Sequence, residues 1–203
     1  MKSLSEIDTV SKRATKAAGF SWGVAEEVGK NIRILEMFGL PGIKNLNDFY
    51  KKKKENKFEN LNIINSENKS SNNKFCPIIA GISFLDQIKN IEKLNEIKFE
   101  NMGYPILFLP FVSRASEIIG KRIFLKIDDK EFLLNFHNNI YSNFLKNEIV
   151  ELGDNISIKF MNNIDLFTHK EWIELYNLSE NTFVEESDSL KTTGAGAGLT
   201  DND

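Results

Sequence analysis

Residues 11–30, SKRATKAAGFSWGVAEEVGK, bring Arg13, Trp22, Glu26 and Glu27 around one tight turn. A carboxylate within reach of a guanidinium can bind a polar substrate or serve as an acid/base pair. Arg13 stands one and a half turns before Gly19, so the spacing lets it reach across the turn to Glu26 or Glu27. The plainer alternative is a surface ion pair that fixes the turn, with Trp22 in the core. Exposed pairs of that kind contribute only about 0–1 kcal/mol.

Two other places carry residues suited to binding. The chain ends in TTGAGAGLTDND, with Gly194, Gly196 and Gly198 alternating with alanine ahead of Thr200, Asp201 and Asp203. Such a segment allows positive φ, and its successive N–H groups can form an anion-binding nest. The two aspartates would suit a cation. The segment is neither a phosphate-binding P-loop nor a dinucleotide fingerprint, since the lysine-serine ending and the strand–turn–helix setting are both missing. A frayed terminus is the ordinary alternative. Arg114, with Ser113, Ser116 and Glu117, follows an apolar run and opens a helical stretch, where anion contacts are common. Its alternative is a helix cap beside a surface arginine.

Composition narrows the function classes. There are 26 Lys and Arg against 29 Asp and Glu, and the cations are spread along the chain, so nucleic acid is not an expected partner. Cys76 is the single cysteine and His137 and His169 the only histidines, which leaves no classical zinc site and no intrachain disulfide. An oxygen-ligand site for magnesium stays open; no metal site and no cofactor is assigned. The N-terminus has no signal-peptide pattern and no apolar run is long enough to span a bilayer, so a cytoplasmic location is expected. Lys, Asn, Ile and Phe abound, as in an AT-rich coding sequence. Fourteen of the twenty Gly and Ala residues fall in residues 13–42 or 194–198. That bias marks the chain ends as the places where small side chains matter.

The elements that must position these residues follow from periodicity. Ser3 with Glu6 predicts a helix cap, and Ile7, Val10, Ala14 and Ala17 an apolar stripe that stops at Gly19. Ser21 caps a second helix with Ala25, Val28, Ile32 and Leu35 on one face, closed by Gly39, Pro41 and Gly42. The short link makes the pair an αα-hairpin. A short third helix is expected around residues 46–50. Residues 51–74 read as a mobile Lys/Asn-rich excursion. Residues 75–84 read as a strand entry, 86–97 as a helix, and 104–112 as a strand end because of its two prolines. Residues 113–119 make a short helix closed by Gly120. Hairpins are expected at 121–136, around Asp128-Asp129-Lys130, and at 149–160, around Gly153-Asp154-Asn155. A last helix spans residues 169–176 with Thr168 as its cap. The expected fold is α+β: an N-terminal helical hairpin, then a mainly antiparallel sheet with one or two covering helices, in one domain over residues 1–203. Its parts are residues 1–50, 51–74, 75–191 and the tail 192–203.

Several of these motifs together resemble a known family. SLSEID near the start, KRATKAAGFSWGVAEEVGK, Leu40-Pro41-Gly42, Cys76-Pro77-Ile78, residues 107–111 and GAGAGLTDND are similar to a bacterial, proteobacterial family called domain of unknown function 3726. The family has no assigned activity, so the resemblance implies no catalytic residue. It adds weight to the two chain ends alone.

Two functions fit this reading. One is a small-molecule catabolic enzyme or enzyme subunit acting on an anionic metabolite, with its site between the hairpin and the tail. The other is a non-catalytic accessory module that docks a partner protein through the tail or through the apolar surface of the hairpin. Residue types leave open whether the chain is an enzyme, what its substrate is and how it assembles.

Overall fold

A computed structural model describes residues 2–70, 73–137 and 139–182. The chain divides into two compact units, Met1–Asn163 and Ile164–Asp203. The first is α+β, with helices first and a sheet after.

Three helices open it. α1 (Leu4–Ala17) starts where the Ser3 hydroxyl accepts the Glu6 N–H, and α2 (Trp22–Met37) where the Ser21 hydroxyl accepts that of Val24. Gly19 and Gly39 end the two helices at φ +96° and +70°, a backbone region that L side chains avoid. α1 and α2 cross closely at Gly29, where an added Cβ would lie 2.6 Å from the Asp8 carboxylate. The predicted face of α2, Ala25, Val28, Ile32 and Leu35, is buried. α1 departs from its predicted stripe: Val10, Ala14 and Ala17 are exposed, Ile7 packs partly against the core, and the buried residues are Ser11 and Thr15. Thr15 accepts the Tyr50 hydroxyl at 2.6 Å and donates to the Ser11 carbonyl at 2.7 Å, so both polar groups are satisfied.

α3 (Gly42–Glu55) is longer than the five residues expected. Its first N–H groups find no cap in Pro41; the Glu36 carboxylate accepts the Ile43 N–H at 2.8 Å instead. Lys52, Lys53 and Lys54 lie in its last turn, against the negative end of the helix dipole. The Lys/Asn-rich stretch therefore holds the end of α3, the strand β1 (Glu67–Lys69) and buried Ile64 and Asn68. The Asn68 amide bonds the backbone of Asn65 and the Lys98 carbonyl.

α4 (Pro77–Ile91) replaces the expected strand entry, with Pro77 in its first turn. Residues 92–97, read as a continuing helix, leave α4 and enter β2 (Glu96–Gly103). A 3-10 turn at Pro105–Leu107 leads into α5 (Leu109–Ile119), which overturns the strand expected at residues 104–112. Proline lacks an N–H, and the first turn of a helix is where none is needed. Gly120, at φ +62°, closes α5 as expected.

β3 (Arg122–Ile127) and β4 (Lys130–Leu134) form the predicted hairpin, and β5 (Ile140–Ser142) pairs with β4. The second expected hairpin is a single strand, β6 (Leu152–Met161), which runs through Gly153-Asp154-Asn155 and pairs with both β2 and β3. The six-stranded sheet has the order β1-β2-β6-β3-β4-β5 and is antiparallel except between β1 and β2. Alternate residues such as Ile123, Leu125, Ile127, Ile156 and Ile158 are buried in the core with Phe84 of α4, Val112 of α5 and Phe108 just before α5.

In the second unit, α6 (His169–Glu180) starts at the expected cap. Thr168 and Glu171 form a reciprocal capping box, and Phe167 stacks on Trp172 at 5.6 Å. No residue of α6 is buried. Among the described residues no helix is long and apolar enough to cross a membrane.

Candidate functional site

The structure joins two of the three places read from sequence. Glu27 on α2 accepts a hydrogen bond and ion pair from Arg114 on α5, and Arg114 also bonds the Asn31 side-chain carbonyl at 3.3 Å. Lys30 pairs with the other Glu27 oxygen at 2.9 Å. Partial burial opposes the Glu27 charge, but the bonds from Lys30 and Arg114 outweigh it and hold the carboxyl below its ordinary range. Asn31 is buried, and its Nδ2 has no hydrogen-bond partner among the described residues; the same holds for the buried Ser113 hydroxyl.

Arg13 takes no part. It is exposed, and Glu26 is paired at 2.5 Å with Lys12, the residue one position earlier. One residue is a hundred degrees of helix, and it decides which cation faces α2. The Lys12 bond lowers the Glu26 pKa. Trp22 is 54% exposed, not a core residue, and the ammonium groups of Lys12 and Lys16 sit 5.9 and 5.6 Å from its ring centre. Gly194, Gly196, Gly198, Thr200, Asp201 and Asp203 lie outside the described residues.

A polar concavity at the end of β2 involves residues that sequence reasoning passed over. Tyr104 follows β2 with φ +48° and ψ +55°, a left-handed backbone that is rare and strained for a bulky side chain. It is held there from three sides. Its N–H donates to the Glu151 carbonyl at 3.2 Å, and its hydroxyl donates to Asp48 of α3 at 2.6 Å. Its ring meets Phe49 edge-on at 5.6 Å and Phe58 at 6.4 Å. Burial, the Asp48 bond and the charges of Asp48 and Glu151 push the phenol pKa up, so it stays a donor. Gly103 beside it has no alternative, since an added Cβ would lie 2.5 Å from the Phe58 ring.

Tyr104 and Phe58 line a pocket of about 290 Å³ rimmed by Lys52, Lys57 and Lys74, with Asn56, Asn73 and Glu151 between them. Bridges from Glu59 to Phe75 and from Phe75 to Met102 fix Phe58 and Lys74 against the end of β2. None of the three ammonium groups has an ion pair or hydrogen bond among the described residues. The pocket thus presents uncompensated positive charge beside one carboxylate and two amides. The sequence signal for it is faint: a Gly-Tyr-Pro step and dispersed lysines in a polar stretch.

Other groups are quiet. The Cys76 thiol is buried, which pushes its pKa up, away from a reactive thiolate. Among the described residues no three of His, Cys, Asp and Glu gather as a metal site.

Residues 2–76 match the model of the family described as "Protein of unknown function (DUF3726)". That family segment contains α1–α3, Glu27 and the three pocket lysines. Arg114, Tyr104 and Glu151, which complete the two polar sites, lie beyond it, as do residues 107–111 and the C-terminal motif. No curated protein and no solved structure matches the chain.

Proposed function

We propose that this cytoplasmic protein binds a small anionic metabolite in the pocket beside Tyr104. The observation that carries this reading is a strained, buried tyrosine lining a pocket rimmed by three lysines that have no ion pair among the described residues. Left-handed backbone at a non-glycine residue persists only where the surroundings over-determine it, and such residues cluster at ligand sites. Lys52, Lys57 and Lys74 supply the charge that an anion needs, and Asn56 and Asn73 supply amide donors. Glu151 disfavours a bare polyanion and favours a ligand that also carries a hydroxyl or amino group. The pocket chemistry holds and orients a ligand. The Tyr104 phenol keeps its proton and Cys76 is buried, so the reading is a binding subunit of metabolism ahead of a nucleophilic enzyme.

The test is calorimetric titration and thermal denaturation with inorganic phosphate, malate and serine. Saturating a site at a hundred times Kd stabilises a protein by about 2.7 kcal/mol, so a true ligand class raises the melting temperature visibly. Lys57→Ala with Lys74→Ala removes that rise while leaving the unliganded protein folded. If none of the three probes stabilises the protein, or if the double variant responds as the parent does, the reading is wrong.

A further inference from the structure

The charges around the Tyr104 pocket narrow the class of anion. Lys52, Lys57 and Lys74 bring three positive charges and Glu151 one negative, so the lining is positive by two. Asp48 stands outside that sum: it is not part of the lining, and it accepts the Tyr104 hydroxyl at 2.6 Å. The Glu151 carboxylate, like the three ammonium groups, has no ion pair or hydrogen bond among the described residues. A single carboxylate offsets half of the lining charge, and a dianion offsets all of it.

The cations are ammonium groups, and no arginine lines the pocket. The planar fork of arginine matches a carboxylate, whereas lysine acts on a phosphoryl group as a point charge. Three such charges suit the three terminal oxygens of a phosphate monoester. Size limits the rest of the ligand. A volume of about 290 Å³ is at the small end of ligand sites, which run from roughly 300 to 1,000 Å³. That leaves room for a chain of a few carbons beside the Phe58 and Tyr104 rings. Glu151 accepts hydrogen bonds and repels a second anionic group, so hydroxyls are the substituents it favours on that chain.

We propose that the pocket takes a phosphate monoester of a small polyol, with the phosphoryl group held by Lys52, Lys57 and Lys74 and a hydroxyl donating to Glu151. This inference rests on the anion-binding reading and names the class of ligand within it.

Calorimetric titration of the full chain with glycerol 3-phosphate, glycerate, malate and inorganic phosphate tests it. Glycerate keeps hydroxyls but carries one carboxylate. Malate is a dianion that splits its charge between two carboxylates, and inorganic phosphate lacks the polyol. Glycerol 3-phosphate is expected to bind about tenfold more tightly than glycerate or malate. Glu151→Ala removes an exposed side chain and keeps the backbone carbonyl that holds Tyr104. It is expected to shrink the preference for glycerol 3-phosphate over inorganic phosphate by about tenfold, the worth of a hydrogen bond to a charged group. That ratio does not move if Glu151 serves only the fold. Glycerate or malate binding as tightly as glycerol 3-phosphate, or a ratio unchanged by Glu151→Ala, overturns this inference and leaves the anion-binding reading standing. If no anion binds at all, both fall.

Discussion

The Glu27 carboxylate ties α2 to α5 through Arg114 and reaches along its own helix to Lys30. Its side chain is 24% exposed and that of Arg114 22%, so water screens the pair only in part. Replacing Glu27 with Gln leaves Arg114 without its anion and is expected to destabilise the fold by about 1–3 kcal/mol at neutral pH. The sign with pH follows from the depressed pKa. The unfolded chain takes up a proton near the ordinary value of 4.5, and the folded chain only at lower pH. The contribution is therefore complete above that value and is lost as pH falls through the folded pKa. Urea titrations of parent and Glu27→Gln should differ at pH 7 and draw together as pH falls below 4.5. Tyr104 makes a second test. Tyr104→Phe keeps the ring packing but leaves Asp48 without its 2.6 Å donor, at an expected loss of about 1–2 kcal/mol by chemical denaturation. Sequence could nominate Glu27 and Arg114 separately, because each is a charged residue in a suggestive setting. It could not pair them, since 87 positions separate them and only tertiary packing closes that gap. Arg13 was the wrong cation for a local reason: it shares a helix with Lys12 but not a face.

Helices and strands were legible where the sequence pattern had one meaning. The caps Ser3, Ser21 and Thr168, the stops at Gly19, Gly39 and Gly120, and the β3–β4 hairpin all fall where local chemistry puts them. Elements were misread where a residue has two uses. Pro77 and Pro110 signalled broken strands, yet each opens a helix. Gly153-Asp154-Asn155 looked like a turn but continues β6; Asn155 exchanges backbone and side-chain bonds with Asp128 of the β3–β4 turn, and Gly153 packs on Pro105. α4 was hidden because it is apolar nearly all round, which erases the period that distinguishes helix from strand. Its packing on α5 yields a prediction. A Cβ at Gly81 would fall inside the Phe111 ring, in the core. Alanine favours a helix over glycine by about 1 kcal/mol, but overpacking costs about 1–3 kcal/mol or more. Gly81→Ala should therefore lower the melting temperature despite its better helix propensity. An unchanged or higher value would mean that α4 and α5 do not approach as described.

The molecule as a whole divides its apolar surface unevenly. The first unit gathers most of its large apolar side chains into one sheet-and-helix core and leaves others such as Trp22 and Leu145 exposed, while none of α6 is buried and Ile164, Leu166 and Phe167 are exposed. Leu166 is 87% exposed, in a stretch without regular structure. Brief chymotrypsin treatment is expected to cut at Leu145, Leu166 or Phe167 before any site within a helix or strand of residues 2–163, as mass spectrometry of the first products would reveal. Cleavage that begins inside the sheet would contradict the division. Composition carried the class of fold this far, because one chain of this size with ordinary apolar content must build such a core. It said nothing of where the core stops.

The lone thiol has a practical use that follows from its position. Cys76 sits at the start of α4, 2% exposed and surrounded by the core. An alkylating reagent can reach it only when that region opens, so the rate of labelling under native conditions is a clock for opening. With a single thiol in the chain the signal has one source, and no engineered probe is required. Comparing that rate with and without a bound anion would report occupancy of the pocket from inside the protein, through the extra time the thiol stays hidden.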